Sequence, residues 1–155
     1  MNKTKIDWCD FTWNPITGCT AGCSFCYARK IAMRFTGHFR PTFHPERLGN
    51  LIDGPKKPKR IFVGSMGDMF DPGVKSEWRQ RVFKEMTRVD RHTYFILTKQ
   101  PQNFADLDCL DRYGVTVFLG VSVTGVADLW RIGELRKNWK GKKFISFEPL
   151  LERVC

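Results

Sequence analysis

Four short runs are apolar or β-branched almost throughout: Ile61-Phe62-Val63-Gly64, Thr93-Tyr94-Phe95-Ile96-Leu97, Val115 to Val123, and Phe144-Ile145-Ser146-Phe147. Strands without an in–out alternation are buried on both faces, as in a parallel sheet. Between the runs the apolar spacing is helical. Trp78, Val82, Phe83, Met86 and Val89 follow a start near Ser76; Phe104 and Leu107 follow Pro101, a residue suited to a helix's first turn; Val126, Leu129, Trp130 and Leu135 form a third stripe. A first unit of the same kind is read from a strand near Phe11–Trp13 and a helix bearing Ala28, Ile31, Ala32 and Phe35. The pattern predicts an α/β fold of about five β/α units, its parallel strands covered by helices and its last unit lacking one. At 155 residues the chain fits one domain, 1–155. Asp53–Arg60, with two prolines, a glycine and four basic residues, reads as an exposed loop inside it.

Polar residues gather just after each strand: Ser65 and Asp68, Thr98 and Lys99, Ser122 and Thr124, and Glu148. In parallel α/β folds the ligand site lies at the carboxyl ends of the strands. A loop with three cysteines, Cys19, Cys23 and Cys26 in the spacing C-x3-C-x2-C, follows the first strand and opens onto the same end. Cys23 and Cys26 are one helical turn apart, so both sulfurs can point one way. Gly18 and Gly22 let the backbone fold closely around a metal centre, where amide N–H groups bond its sulfides.

Two readings of the triad stand beside the bland one of oxidised or buried thiols. A structural zinc site needs four tetrahedral ligands, and there is no second C-x2-C; the fourth would be Cys9, His38 or His44. An iron–sulfur cluster needs only three protein ligands when one iron is left to a small molecule, and the spacing favours it. Cys9, Cys109 and Cys155 have no partner at metal spacing and are expected as free thiols. Trp13, Phe25, Tyr27, Phe70 and Trp78 are read as core packing in preference to a base-stacking set.

Charge narrows the partners. The formal net charge is +10, and residues 1–60 hold 11 Lys and Arg against 4 Asp and Glu. Such an excess favours nucleic acid or another polyanion, without naming a sequence. Apolar runs are too short to span a membrane, and Asn2-Lys3-Thr4-Lys5 leads into no apolar signal core. The expected setting is the cytoplasm, where thiols stay reduced.

The cysteine loop resembles the signature of the radical S-adenosylmethionine (radical SAM) superfamily, C-x3-C-x-aromatic-C, with Phe25 as the aromatic residue. Thr12-Trp13-Asn14-Pro15, Ser65-Met66-Gly67-Asp68-Met69-Phe70, Leu97-Thr98-Lys99, Gly120-Val121-Ser122-Val123 and Ser146-Phe147-Glu148-Pro149-Leu150-Leu151 resemble an uncharacterised phage-associated branch of it. The resemblance implies a partial (β/α) barrel and reductive cleavage of S-adenosylmethionine (SAM), followed by hydrogen abstraction from a substrate, with nucleic acid as one candidate. It implies that Cys19, Cys23 and Cys26 hold a [4Fe–4S] cluster and that Tyr27 packs near the cluster or the adenine. Gly64, Gly67 and Asp68 would receive the methionyl amine, Lys99 a carboxylate or phosphate, and Ser122 the ribose, while Glu148 orients substrate or cofactor. No residue is singled out as catalytic. The resemblance further implies an electron donor such as flavodoxin or ferredoxin, and a bacterial or phage-infected cell. Members of the branch run on past the Ser146–Leu151 segment, so the barrel is expected to lack its last unit, to be completed by a partner chain if at all. The alternative is a non-catalytic iron–sulfur or zinc-containing module that binds nucleic acid.

Overall fold

The apolar runs form strands within two residues of the predicted ends. In chain order the elements are β1 (Asn2–Lys3), β2 (Phe11–Trp13), β3 (Ile16–Thr17), α1 (Tyr27–Thr36), β4 (Thr42–Phe43), α2 (Gly49–Ile52), β5 (Arg60–Val63), α3 (Ser76–Arg88), β6 (Thr93–Thr98), α4 (Asp108–Asp111), β7 (Thr116–Ser122), α5 (Trp130–Asn138) and β8 (Lys142–Ser146). This is a computed structural model, and it describes residues 1–111 and 114–154; Cys155 lies outside them.

Six strands make one sheet in the order β1-β2-β5-β6-β7-β8. Five of them, β2, β5, β6, β7 and β8, are parallel, as expected, and β1 runs antiparallel to β2 at one edge. The sheet does not close on itself: β1 and β8 are its two edges. The longest register runs from Thr93 opposite Thr116 to Thr98 opposite Val121. β3 and β4 form a separate antiparallel pair.

Alternation along each strand sends one set of side chains to each face. Tyr94 and Ile96 of β6 and Val117, Leu119 and Val121 of β7 share a buried core with Val82, Phe83 and Met86 of α3 and Leu135 of α5. A side chain as fully buried as Phe83 contributes roughly 2–3 kcal/mol by removing apolar area from water. The other face is aromatic. Trp8 lies over it, with ring centroids 4.8 Å from Phe62, 5.4 Å from Phe95 and 5.7 Å from Phe144. Phe95 and Phe118 stack at 4.8 Å. Gly120 makes room there, since a Cβ on it would fall 2.4 Å from the Phe144 ring.

Three helical expectations need correction. The stripe on α1 does not form a core face: Ala28 is buried, whereas Ile31 is 45% and Phe35 77% exposed. The segment after Pro101 makes one 3-10 turn, Pro101–Asn103, and helix resumes only at α4; Asp106, at φ 60°, interrupts it in the left-handed region. Phe104 lies between the two and meets Phe70 edge-on. Val126–Asp128 is likewise a 3-10 turn, with three residues per turn, so the stripe loses phase before α5. Leu135 is buried, while Val126 and Trp130 are exposed.

Candidate functional site

The cysteine loop is laid along the loop that follows β5, backbone against backbone. The Gly18 N–H donates to the Met66 carbonyl (2.9 Å), and Gly18 bridges to Gly67 in parallel fashion. Neither glycine has space for a side chain. A Cβ on Gly67 would lie 2.8 Å from the Gly18 carbonyl oxygen, and one on Gly18, which sits at φ +88°, would strike the Arg40 carbonyl. Asn14 ties the same loops: its Oδ1 accepts the Met66 N–H (2.9 Å), and it is bonded to the Ser65 hydroxyl (3.1 Å).

Cys26 is the N-cap of α1, its sulfur accepting the Arg29 N–H (3.3 Å), while the Cys19 sulfur accepts from Ala21 (3.4 Å). Cys23 opens the turn before the helix, its carbonyl accepting the Cys26 N–H (3.2 Å). Two of the three sulfurs therefore already face peptide N–H groups, which favour negative charge on sulfur. Burial pushes the Cys19 thiol up to about 12, and the Asp68 and Asp71 carboxylates add to the rise. A thiol held that high stays protonated until a metal displaces the proton.

All three cysteines line one cavity of about 430 Å³, within the range of small-molecule sites. Tyr27, Gly64, Gly67, Asp68, Lys99, Ser122 and Glu148 line it too. The chain thus brings together every site residue expected from the sequence, from the cysteine loop and the start of α1, the loops after β5, β6 and β8, and the last residue of β7. Trp8, Phe25 and Phe62 supply apolar wall.

Within the cavity the groups differ in how free they are. The Tyr27 hydroxyl donates to the Ser65 carbonyl (2.5 Å). The Lys99 ammonium lies 3.3 Å from the Ser122 hydroxyl and 5.8 Å from the centre of the Phe25 ring, a cation held at the wall. Glu148 is exposed at the rim. Asp68 is turned inward: its carboxylate accepts from Thr98 Oγ1 (2.7 Å), the Phe70 N–H (3.0 Å) and the Lys99 N–H (3.0 Å). Burial still raises its pKa, because three bonds do not replace the lost water. Asp68 therefore joins the β5 and β6 loops, and the backbone carbonyls beside it are the acceptors that a cationic ligand would meet.

Among the described residues, no three His, Cys, Asp or Glu side chains stand close enough to share a single metal ion. Ligands of a four-iron cube take different irons and stand further apart than ligands of one ion. Cys9 is buried elsewhere and is not part of the cavity lining; His38 and His44, the other candidate fourth ligands for zinc, line a different cavity. Cys9 and Cys109 are free thiols.

The family model described as "Protein of unknown function (DUF5131)" matches residues 3–155. The chain belongs to that family. No curated protein and no solved structure matches it at a significant level.

Sequence reasoning missed the residue that anchors the cysteine loop of this DUF5131 chain. Asp71, 1% exposed, accepts the Thr20 N–H (2.6 Å), the Thr20 hydroxyl (2.8 Å) and the Gln100 amide (2.9 Å) on one oxygen, and the Gly73 N–H (2.9 Å) on the other. The Gln100 amide also lies 3.9 Å from the Cys19 sulfur. The signal in the sequence is only a second acid three residues after Asp68. Of the five aromatic residues read as core, Trp13 and Phe70 are buried and Trp78 packs half-buried; Phe25 and Tyr27 line the cavity.

Proposed function

We propose that this chain is a radical SAM enzyme on a partial barrel, with Cys19, Cys23 and Cys26 as the protein ligands of a [4Fe–4S] cluster. The observation that carries the reading is the convergence of a C-x3-C-x2-C triad and four strand ends on one 430 Å³ cavity. The donor set fits the group: three soft sulfur donors, two already receiving peptide N–H groups, with the candidate zinc-completing side chains outside the cavity. When bound, such a cluster supplies the electron that cleaves SAM to methionine and a 5′-deoxyadenosyl radical able to take hydrogen from a C–H bond.

The remaining work falls to the chain's own residues. The carbonyls of Gly64 and Ser65, both in the cavity lining, each accept one internal bond, which leaves a lone pair for the ammonium group of an amino-acid ligand. Lys99 stands where a carboxylate or phosphate would be met, and Ser122, held beside it, can bond a sugar hydroxyl. Tyr27 and Phe25 offer apolar surface to an adenine. Trp8 and the aromatic face beneath it exclude water from that end of the cavity. An outside protein of the flavodoxin or ferredoxin class supplies electrons, and a further strand on the β8 edge, from a partner chain, would extend the barrel. That edge exposes Ile145 and Phe147.

Anaerobic purification tests the assignment. The expected protein is brown, holds roughly four irons per chain, bleaches with dithionite and forms 5′-deoxyadenosine from SAM. Cys23→Ala is expected to lose both iron and turnover. A colourless wild type with a single zinc, or a Cys23→Ala variant that keeps its iron, overturns the proposal.

A further inference from the structure

A second cavity, of about 560 Å³, opens between α1 and the β3–β4 pair and touches the first only at Phe39. Its cationic side chains are Arg40 and Arg47, joined by His38 and His44, and among the described residues no Asp or Glu lines it. The charge follows from the sequence around it. Residues 11–45, which supply the cysteine loop, α1 and most of the cavity wall, contain Arg29, Lys30, Arg34 and Arg40 and not one Asp or Glu. Glu46 is the first acid after them; it is 66% exposed and pairs with Arg47 Nε at 3.7 Å.

The helix beside the cavity is scarcely buried. Ala28 is its only fully buried residue, and Ile31 (45%), Met33 (48%) and Phe35 (77%) are exposed between Arg29, Lys30 and Arg34. The Arg34 guanidinium lies 5.8 Å from the Phe35 ring centre. Phe35 both lines the cavity and faces water. An exposed aromatic ring at the mouth of an acid-free basic cleft is the combination that single-stranded nucleic acids use: cations track phosphates, and the ring stacks an unpaired base. A duplex has its base faces covered and would leave the ring without a partner.

We propose that this cleft and the adjoining face of α1 bind single-stranded nucleic acid, with Arg40 and Arg47 on the phosphates and Phe35 under a base. The site goes beyond the cluster reading and shares no ligand with it. Binding brings the strand to the helix that begins at Cys26, beside the first cavity.

Fluorescence anisotropy on the full chain, cluster-loaded and as purified, tests the site with a labelled oligothymidylate of roughly 12 nucleotides. Arg40→Glu is expected to weaken binding more than about tenfold, and Phe35→Ala, which changes no charge, about tenfold. Lys137→Glu, the same kind of charge reversal on exposed α5, should cost less than about twofold. Arg40→Ala should lower the salt slope by about 0.7. Phe35 and Arg40 are both exposed, and circular dichroism should show both variants folded. Equal losses for Arg40→Glu and Lys137→Glu overturn the site, as do an unaffected Phe35→Ala, equal affinity for a duplex, or binding to anionic vesicles with none to the oligonucleotide. Loss of SAM cleavage with oligonucleotide binding intact defeats the cluster reading alone; the reverse defeats this one alone.

Discussion

Asp71 shows how much of the cysteine loop can depend on one buried carboxylate that lies outside the cysteine triad. Its oxygens gather four donors, two of them from Thr20 in the middle of the cysteine loop. Burial alone would raise its pKa, but the bonds from Thr20, Gly73 and Gln100 outweigh it and hold the carboxyl below its ordinary value. A carboxylate with a lowered folded pKa adds stability above the ordinary value, about 3.9, and that stability is lost as pH falls through the folded one. Asp68, three residues earlier, has the opposite sign, since burial dominates there. Asp71→Ala removes the acceptor of four bonds, from Thr20, Gly73 and the buried Gln100 amide. The expected loss is about 3 kcal/mol in urea unfolding, at roughly 1 kcal/mol net per lost bond. On the proposed cluster assignment the loop should also release iron faster under a chelator, whereas Asp71→Asn, which keeps one oxygen, should lie between. An Asp71→Ala variant with wild-type stability and wild-type iron retention would show that Thr20 is held by other means.

At the scale of elements, what could be read in advance was what burial writes locally. β5, β6 and β7 lie inside the sheet and appear as unbroken apolar runs, and their parallel order puts all their polar carboxyl ends at one end of the sheet. That is why Ser122 and Lys99, 23 residues apart, could be assigned to one place. Asp71 and Thr20 are 51 apart and meet because two loops cross, for which no local pattern exists. Periodicity on α1 reported an amphipathic helix but could not report that, among the described residues, nothing covers Ile31, Met33 and Phe35. β1, two exposed residues, and the reach of Trp8 across the sheet had no signal either. α3 is read correctly because its stripe is buried, yet its N-terminal half is held by a tether that the stripe does not show. Arg79, 7% exposed, pairs with Asp106 at 2.8 Å, and Ser76 and Gln80 bond the same carboxylate. Asp106→Ala would leave a buried guanidinium unpaired, at a cost of roughly 3 kcal/mol or more. Thermal unfolding should show it, and Asp106→Asn, which tolerates the left-handed backbone at φ 60°, should recover part of the loss. If Asp106→Ala melts like wild type, the pair does not hold α3 to the loop before α4.

For the molecule as a whole, the sheet has a helix-packed face and an aromatic face, and the histidines that govern its response to acid lie away from the cysteine cavity. His92, 1% exposed, follows α3 and meets the edge of the Tyr94 ring; its Nδ1 accepts the Lys59 N–H (3.2 Å), and its Nε2 has no partner among the described residues. Burial, and then the charge of Arg91, hold its pKa below the ordinary 6.5. His44, bonded to Thr17, is lowered in the same way by burial and by Arg47, against the pull of Glu46. Both rings are neutral in the folded chain, whereas the unfolded chain takes up their protons as pH falls through about 6.5. Stability from these two groups is therefore complete above that value and declines below it, toward the folded pKa values. The urea midpoint should fall between about pH 7.5 and 5.5, before any carboxylate titrates in the unfolded chain. His92→Gln keeps an acceptor for the Lys59 N–H and carries no proton to gain, so its midpoint should fall less over the same interval. A wild type with a flat midpoint across that interval, or a His92→Gln variant falling just as steeply, would mean that His92 takes up its proton without disturbing the sheet. The neutral ring would then owe nothing to its burial between β5 and β6.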